Sequence, residues 1–234
     1  MWAYSLLAIA LLLARWQGRL VAQGSLIRAF LVWLVAIAIG LGALNAAHAT
    51  SIPSPAAEAW QRTVQREAHA VWGINAPVSA FGAQIEQESA WRSNARSPYA
   101  AGLAQFTTDT ATDMARWYPE LGPSDPYDPR WAIRALVRYD YRLYSGITGA
   151  RGDCDHWAMT LSAYNGGAGW LNRDRALCSH VSGCDPSRWW GHVDRQTQRA
   201  SWARAENRAY PSRILLTLQS PYAAAGWAGQ AVCP

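Results

Sequence analysis

The chain has 234 residues, half of them apolar, and a formal net charge of +5; its length suits one globular domain with a leader, and the +2 left after the first fifty residues is too small to argue for nucleic acid. Arg15, Arg19 and Arg28 are the only formal charges before position 50, so the remainder sets eighteen arginines against sixteen acids. Lysine is absent, a trait of genome composition rather than of function.

Two apolar runs open the chain, Trp2 to Ala14 and Ala29 to Ala47, with the three arginines between them. As a helix the first spans roughly 20 Å, short of a bilayer core of roughly 30 Å, whereas the second is long enough. The second ends in Ala47-His48-Ala49, an A-x-A-like cleavage pattern, before a polar, Pro-containing stretch from Thr50 to Pro55. Two topologies fit: a helical hairpin with its arginine loop in the cytoplasm, or a signal peptide whose real start lies near Val21 or Leu26. Either makes residues 1–49 an export segment or membrane anchor and places residues 50–234 in the periplasm or cell envelope.

Helical periodicity dominates from there, and runs of alternating β-branched residues are nearly absent, so the domain is expected to be mostly α. Ser54-Pro55 opens a helix through Trp72, with Ser54 as N-cap and Pro55 at the tolerated first position. Pro77 opens a second, carrying Phe81, Ala83 and Ile85 up to Glu88. A third starts near Thr107 or Thr108 and stops before Pro119. Asp128-Pro129 begins a long one reaching Gly146, and Trp157 to Tyr164 make another, ended by Asn165-Gly166-Gly167. Short helices are expected over Pro186 to Arg195 and Ala203 to Gln219.

Cys154, Cys178, Cys184 and Cys233 form an even set without a C-x-x-C pair, which suits two disulfides in an exported protein. Three connectivities stand open. A zinc site is the sharper alternative, but His156 and His180 lack ligand spacing, so no metal is expected.

The chemistry centres on "AQIEQESAWRSNARSPYAAGLAQFT". A helix ends there in a carboxylate and a Ser/Gly-bearing loop follows. Glu86 and Glu88 lie about 200° apart around a helix, so only one can face a given cleft. Glu88, beside the loop, is the working acid; Glu86 is assigned to solvent or to a cap. The five histidines show no nucleophile-base arrangement.

"ESAWRSNARSPYAAGLAQF", "LSAYNGG" and "ENRAYPSRIL" occur in this order. Together they resemble the three signature segments of the soluble lytic transglycosylase (SLT-domain) family over roughly residues 78–216. Short loops ending in "GLAQF" look like phage or prophage members, an endolysin setting. The resemblance implies a lysozyme-like α-helical fold related to goose-type lysozyme, and a carbon-oxygen lyase acting on peptidoglycan glycan strands without a cofactor. It makes Glu88 the sole acid/base. It gives substrate-binding roles to Ser89, Ser97, Gly102, Gln105, Tyr164, Asn165 and Tyr210, with Glu206 upstream of the last. The loop departs from the usual Ser-x-x-Gly-Ala-x-Gly-Leu-Met-Gln by one residue, with Ala100 or Ala101 near the first glycine and Ala104 in place of methionine.

A protonated acid at working pH requires burial beside apolar groups, for which Phe81, Leu103 and Tyr164 are the candidates. A hydrolytic muramidase would need a second carboxylate, drawn from Asp109, Asp113, Asp153 or Asp155. A glycan-binding protein with a decayed site is the alternative from another class. Among the fourteen tryptophans, Trp60, Trp72, Trp131 and Trp157 are assigned to the core, and Trp91, Trp170, Trp189 and Trp190 are candidates for cleft lining. Arg130, Arg134, Arg138 and Arg142 form a helical stripe, read as a solvated face paired with Asp140 and other acids. A monomer is expected, touching the membrane only through an uncleaved leader.

Overall fold

Ser54 begins the helical domain as a capping residue should: its hydroxyl accepts the Ala57 amide at 3.2 Å, and Pro55 stands at the first helical position. The computed structural model describes residues 52–229 and 231–233, so the apolar runs, the cleavage pattern and the two leader topologies lie outside the described residues. Among the described residues no helix is long and apolar enough to cross a membrane.

Helix α1 (Pro55–Trp72) is followed by α2 (Val78–Ser89), α3 (Thr108–Trp117), α4 (Pro129–Gly146), α5 (Asp153–Gly166) and α6 (Ala168–Ser179). The chain closes with α7 (Ser201–Pro211), a π-helical segment over Ser212–Leu218, and α8 (Gln219–Ala224). Thr107 caps α3 through the Thr110 amide, and Asp128 caps α4 through the Trp131 amide at 2.8 Å with Pro129 just inside. Extended pairing among the described residues is confined to isolated bridges of Ala101 with Arg96 and with Phe106.

Helix α2 sits at the centre, against α1, the π-helical segment and α8. Nine of its twelve residues are buried, polar Ser79, Gln84 and Ser89 among them, so the element carrying Glu88 is enclosed on nearly every side. Phe81 and Ile85 are fully buried, each contributing roughly 1.5–3 kcal/mol. Trp72 stacks on Trp157 with ring centroids 4.8 Å apart, and Phe81 meets both rings edge-on. Helix α4 packs on α1 and α5, and the Arg134 and Arg138 guanidiniums reach Glu67 on α1. The arginine stripe therefore pairs with Glu67 and Glu120, and Arg142 lies over Trp117. Asp140 takes no part in it, because it is fully buried on the inner face of α4.

Two helix expectations need correction, and one helix was not expected. Helix α5 starts at Asp153, four residues before Trp157. The end at Asn165-Gly166-Gly167 holds, with Gly167 as the C-cap of α5, but a helix absent from the sequence reading, α6, starts at once, and its Leu171, Asp174 and Cys178 form a buried stripe. Pro186 to Arg195 is mostly turn, with one 3-10 turn at Val193–Arg195. There Asp185 Oδ1 accepts from the Ser187 amide and hydroxyl, and Asp155 Oδ1 accepts the Trp189 amide, so side chains take the groups a helix would use. Disulfides join Cys154 to Cys233 and Cys178 to Cys184. The first ties the C-terminal tail to α5, and the second closes the turn after α6.

Candidate active site

Helix α2 stops because Ala90 and Trp91 both adopt left-handed backbone, at φ 49° and 61°, and the Ala90 amide closes the last turn on Glu86. That reversal leaves Glu88 on the final turn, facing a cleft of about 530 Å³. Glu86 points elsewhere and accepts a hydrogen bond from the Tyr222 hydroxyl at 2.8 Å. The two carboxylates are thus separated as helical geometry requires.

The loop after α2 is held by its own side chains. Ser97 Oγ accepts the amides of Tyr99 at 3.2 Å and Ala100 at 2.9 Å, a Ser/Thr turn. Gln105 Nε2 donates to the carbonyls of Gly102 and Ala95. Gly102, at φ 76°, lies so close to Pro126 that an added β-carbon would stand 1.6 Å from that residue's carbonyl oxygen. Only glycine fits there.

The cleft brings together Glu88, Ser97, Gln105, Tyr164, Asn165, Glu206 and Tyr210 from segments far apart in sequence. Three expected residues lie outside it. Ser89 is buried and donates its hydroxyl to the Ile85 carbonyl, Gly102 packs under the loop, and Trp170 carries the guanidiniums of Arg173 and Arg199 over its ring. The other tryptophans proposed as lining are also engaged elsewhere: Trp91 packs on Trp227 and Tyr222, Trp189 is fully buried, and Trp190 bonds to Cys154 Sγ. Of the acids proposed as partners, Asp113 pairs with Arg116, Asp155 holds the Trp189 amide, and neither Asp109 nor Asp153 lines the cleft.

Burial raises the Glu88 carboxyl to about 8; the Tyr210 hydroxyl, which donates to Oε1, opposes this, and the Glu206 charge adds to it. The carboxyl is therefore protonated at neutral pH. Tyr164 and Tyr210, with parallel rings 6.3 Å apart, are both pushed well above the usual phenol range by burial and by repulsion from Glu88. Tyr164 donates to the Ala104 carbonyl at 2.7 Å, locking the loop to α5. Phe81 and Leu103 are core residues that do not line the cleft, so tyrosine rings surround the acid more than aliphatic groups do.

Several participants escaped the sequence reading. Asp140 is fully buried, bonds to Gln84 Nε2 at 3.4 Å, and is driven toward its neutral form by burial and by Glu88. Gln84 lies one helical turn before Glu88 on α2, so a second acid lies beneath the first. Asn207, also buried, donates to Asn165 Oδ1 at 3.0 Å and accepts from Ser162 Oγ at 2.8 Å. It fixes Asn165, whose own amide reaches Glu206 at 3.4 Å. Tyr139 and Arg213 complete the wall. Apolar spacing could have flagged Asp140 as an inward position on α4, since it follows Ile133, Leu136 and Val137 at helical intervals.

A larger cavity of about 670 Å³ is lined by Trp72, Tyr144 and Trp157, with Asp153 as its lone carboxylate. It gathers no comparable set of polar groups. Among the described residues no three His, Cys, Asp or Glu side chains cluster as a metal site needs.

Comparison with known proteins points the same way as the geometry. Residues 68–181 match the family model described as the Transglycosylase SLT domain. Membrane-bound lytic murein transglycosylase F of Ectopseudomonas mendocina is 32% identical over 104 residues, covering 44% of this chain and 20% of that protein. The protein of the same name from Alcanivorax borkumensis is 34% identical over 125 residues, covering 53% of this chain and 25% of its own length. The chain thus spans a quarter or less of these relatives. The matched residues include Glu88 through Asn165 and stop short of Glu206 and Tyr210, which join the cleft by contact. Through residues 68–181 this mostly helical chain is a member of the transglycosylase SLT domain family.

Proposed function

We propose that the protein is an exported peptidoglycan lytic transglycosylase that cleaves the β-1,4 bond between N-acetylmuramic acid and N-acetylglucosamine without consuming water. Glu88 is its acid and then its base. The observation that carries this reading is a single half-buried carboxyl, held protonated near neutral pH and bonded to Tyr210, in a cleft that no aspartate lines.

Glu88 gives its proton to the glycosidic oxygen as the anomeric C–O bond breaks, and an oxocarbenium-like centre forms. The Tyr210 hydroxyl then donates to a carboxylate rather than to a neutral acid, a stronger bond that stabilises the charge just created. The carboxylate takes the proton of the sugar's 6-hydroxyl while that oxygen attacks the anomeric carbon. A 1,6-anhydro end results and Glu88 is protonated again. Ser97, Gln105 and Asn165 line the cleft and supply groups for N-acetyl and hydroxyl contacts, and the substrate N-acetyl group supports the positive centre.

A hydrolytic muramidase is the second reading, favoured by one observation: Glu206 lines the same cleft. It is exposed and its nearest partner is the Asn165 amide, so it could hold a water on the rim. The names of the relatives refer to membrane-bound murein enzymes, and with the apolar leader they support an envelope location. Replacing Glu88 by Gln tests the role of the acid. Release of soluble muropeptides should fall by about 10³-fold or more while sedimentation with sacculi is kept. Cleavage at the wild-type rate would remove Glu88 from the mechanism, and a wild type that binds sacculi but releases nothing would support the binding-protein reading.

A further inference from the structure

The N-terminus of α7 opens on a second concave surface, a cavity of about 640 Å³ lined by Arg195, Arg199, Arg204 and Arg208 together with Thr197, Ser201 and Asp194. No side chain caps this helix, and no acid stands in its first turn, so its free amides add positive potential to the arginines. Arg199 and Arg208 share one buried carboxylate, Asp174 Oδ2, at 3.4 and 2.8 Å. Two guanidiniums on one acid leave a net positive charge beneath the surface. The Arg199 side chain is only 4% exposed, yet neither Nε nor Nη2 donates a hydrogen bond. Burial weighs against its charge, Asp174 supports it, and repulsion from Arg208 opposes it again. Arg195 and Arg204 make no ion pair among the described residues; Arg204 instead donates weakly to the Arg195 carbonyl at 3.4 Å. Asp194 is the sole acid of the lining, and its Oδ1 is also unpartnered.

This surface adjoins the cleft. The Arg199 guanidinium packs on Gly166, where an added β-carbon would stand 2.0 Å from Nη1. The preceding residue, Asn165, lines the cleft. Helix α7 serves both surfaces, with Arg204 and Arg208 on one side and Glu206 and Tyr210 on the other. A polymer seated in the cleft that carries anionic branches could place one here.

We infer that the arginine-lined cavity is a subsite for the carboxylates of the peptides attached to the glycan strand, which it recognises by charge-assisted hydrogen bonds. This rests on the reading of the cleft as a peptidoglycan site. Arginine matches paired carboxylate oxygens with its planar fork, and the uncapped amides of α7 donate to the remaining lone pairs.

Two arms test it, using the full chain. In the first, calorimetry on the Glu88→Gln protein measures binding of the free acidic stem peptide, with inorganic phosphate as a separate probe. The double variant Arg195→Ser/Arg204→Ser, made at exposed positions without ion pairs, should weaken peptide binding about tenfold and flatten its salt dependence. In the second, cleavage is measured on intact sacculi and on the same glycan stripped of peptides by an amidase. The double variant should lose about tenfold in kcat/KM on the former and stay within about twofold on the latter. Equal peptide binding by both proteins, binding of phosphate alone, or equal losses on both substrates would overturn the subsite. A wild type that cleaves neither substrate defeats the reading of the cleft instead, while the calorimetric arm still decides the subsite.

Discussion

Tyr210 is the residue whose removal separates chemistry from packing. Its hydroxyl is the largest influence opposing the burial that raises Glu88, so Tyr210→Phe should move the alkaline limb of the pH-rate profile upward from about pH 8. It should also remove a hydrogen bond made stronger by the carboxylate, lowering kcat by roughly 10- to 100-fold with KM little changed. Steady-state kinetics across pH check both at once, and an unmoved limb would mean that the Tyr210 hydroxyl does not set the ionisation of Glu88. Glu88 itself carries a linkage effect of definite sign. Its carboxyl ionises near 4.5 in the unfolded chain and near 8 in the fold, so its contribution to stability is complete below 4.5 and is lost as pH rises through 8. Each pH unit in that window costs up to roughly 1.4 kcal/mol. Glu88→Gln, which does not ionise, should therefore melt progressively higher than the wild type between pH 4.5 and 8, with no gain below 4.5. Thermal melts across this range read the difference, and a constant offset would contradict the raised value.

The loop between α2 and α3 shows how an element constrains the site. Gly102 and Gly122 have nearly the same positive φ, 76° and 77°, but an added β-carbon meets the Pro126 carbonyl at the first and open space at the second. Gly122→Ala should cost roughly 1 kcal/mol from backbone strain, and Gly102→Ala several times that, with loss of activity as the Gln105 bonds to the loop break. Denaturant titration of both variants checks the contrast. Elements with ordinary capping chemistry were legible: Ser54 with Pro55, Thr107, and Asp128 with Pro129 mark helix starts that the structure shows. Helix α6 was not, because Asn165-Gly166-Gly167 reads as an end and only a packed core reveals that Gly167 is a joint. The π-helical stretch after Pro211 is equally silent in sequence, since proline at an α-helical position says nothing of how the following turns widen. Glu88, Gln105, Tyr164 and Asn165 were found from motifs and do share one cleft, whereas Trp170 was placed there by nearness in sequence alone and lies under two arginines instead. Asp140 was missed although its spacing from Ile133, Leu136 and Val137 marks an inward position, and Asn207 because a buried polar residue there declares itself only through its partners.

The described residues from Ile52 onward form one compact unit, and the cleft lies where α2, the loop after it, α5 and α7 meet. The segment 68–181 that matches the family supplies the acid and the loop, while the later helices supply Tyr210 and Glu206. Placing one half-buried acid against two tyrosines, with the other carboxylate at an exposed rim, suits a reaction in which a single group donates and then recovers a proton. It suits hydrolysis less well, because the water-directing base would have to be the exposed Glu206. Mass spectrometry of the muropeptides released from purified sacculi by the full-length protein decides between them. A non-hydrolytic enzyme gives 1,6-anhydro ends, lighter than reducing ends by one water and unlabelled when the digestion is run in ¹⁸O-water. Reducing ends carrying ¹⁸O as the main product would contradict the mechanism and make the enzyme a hydrolase.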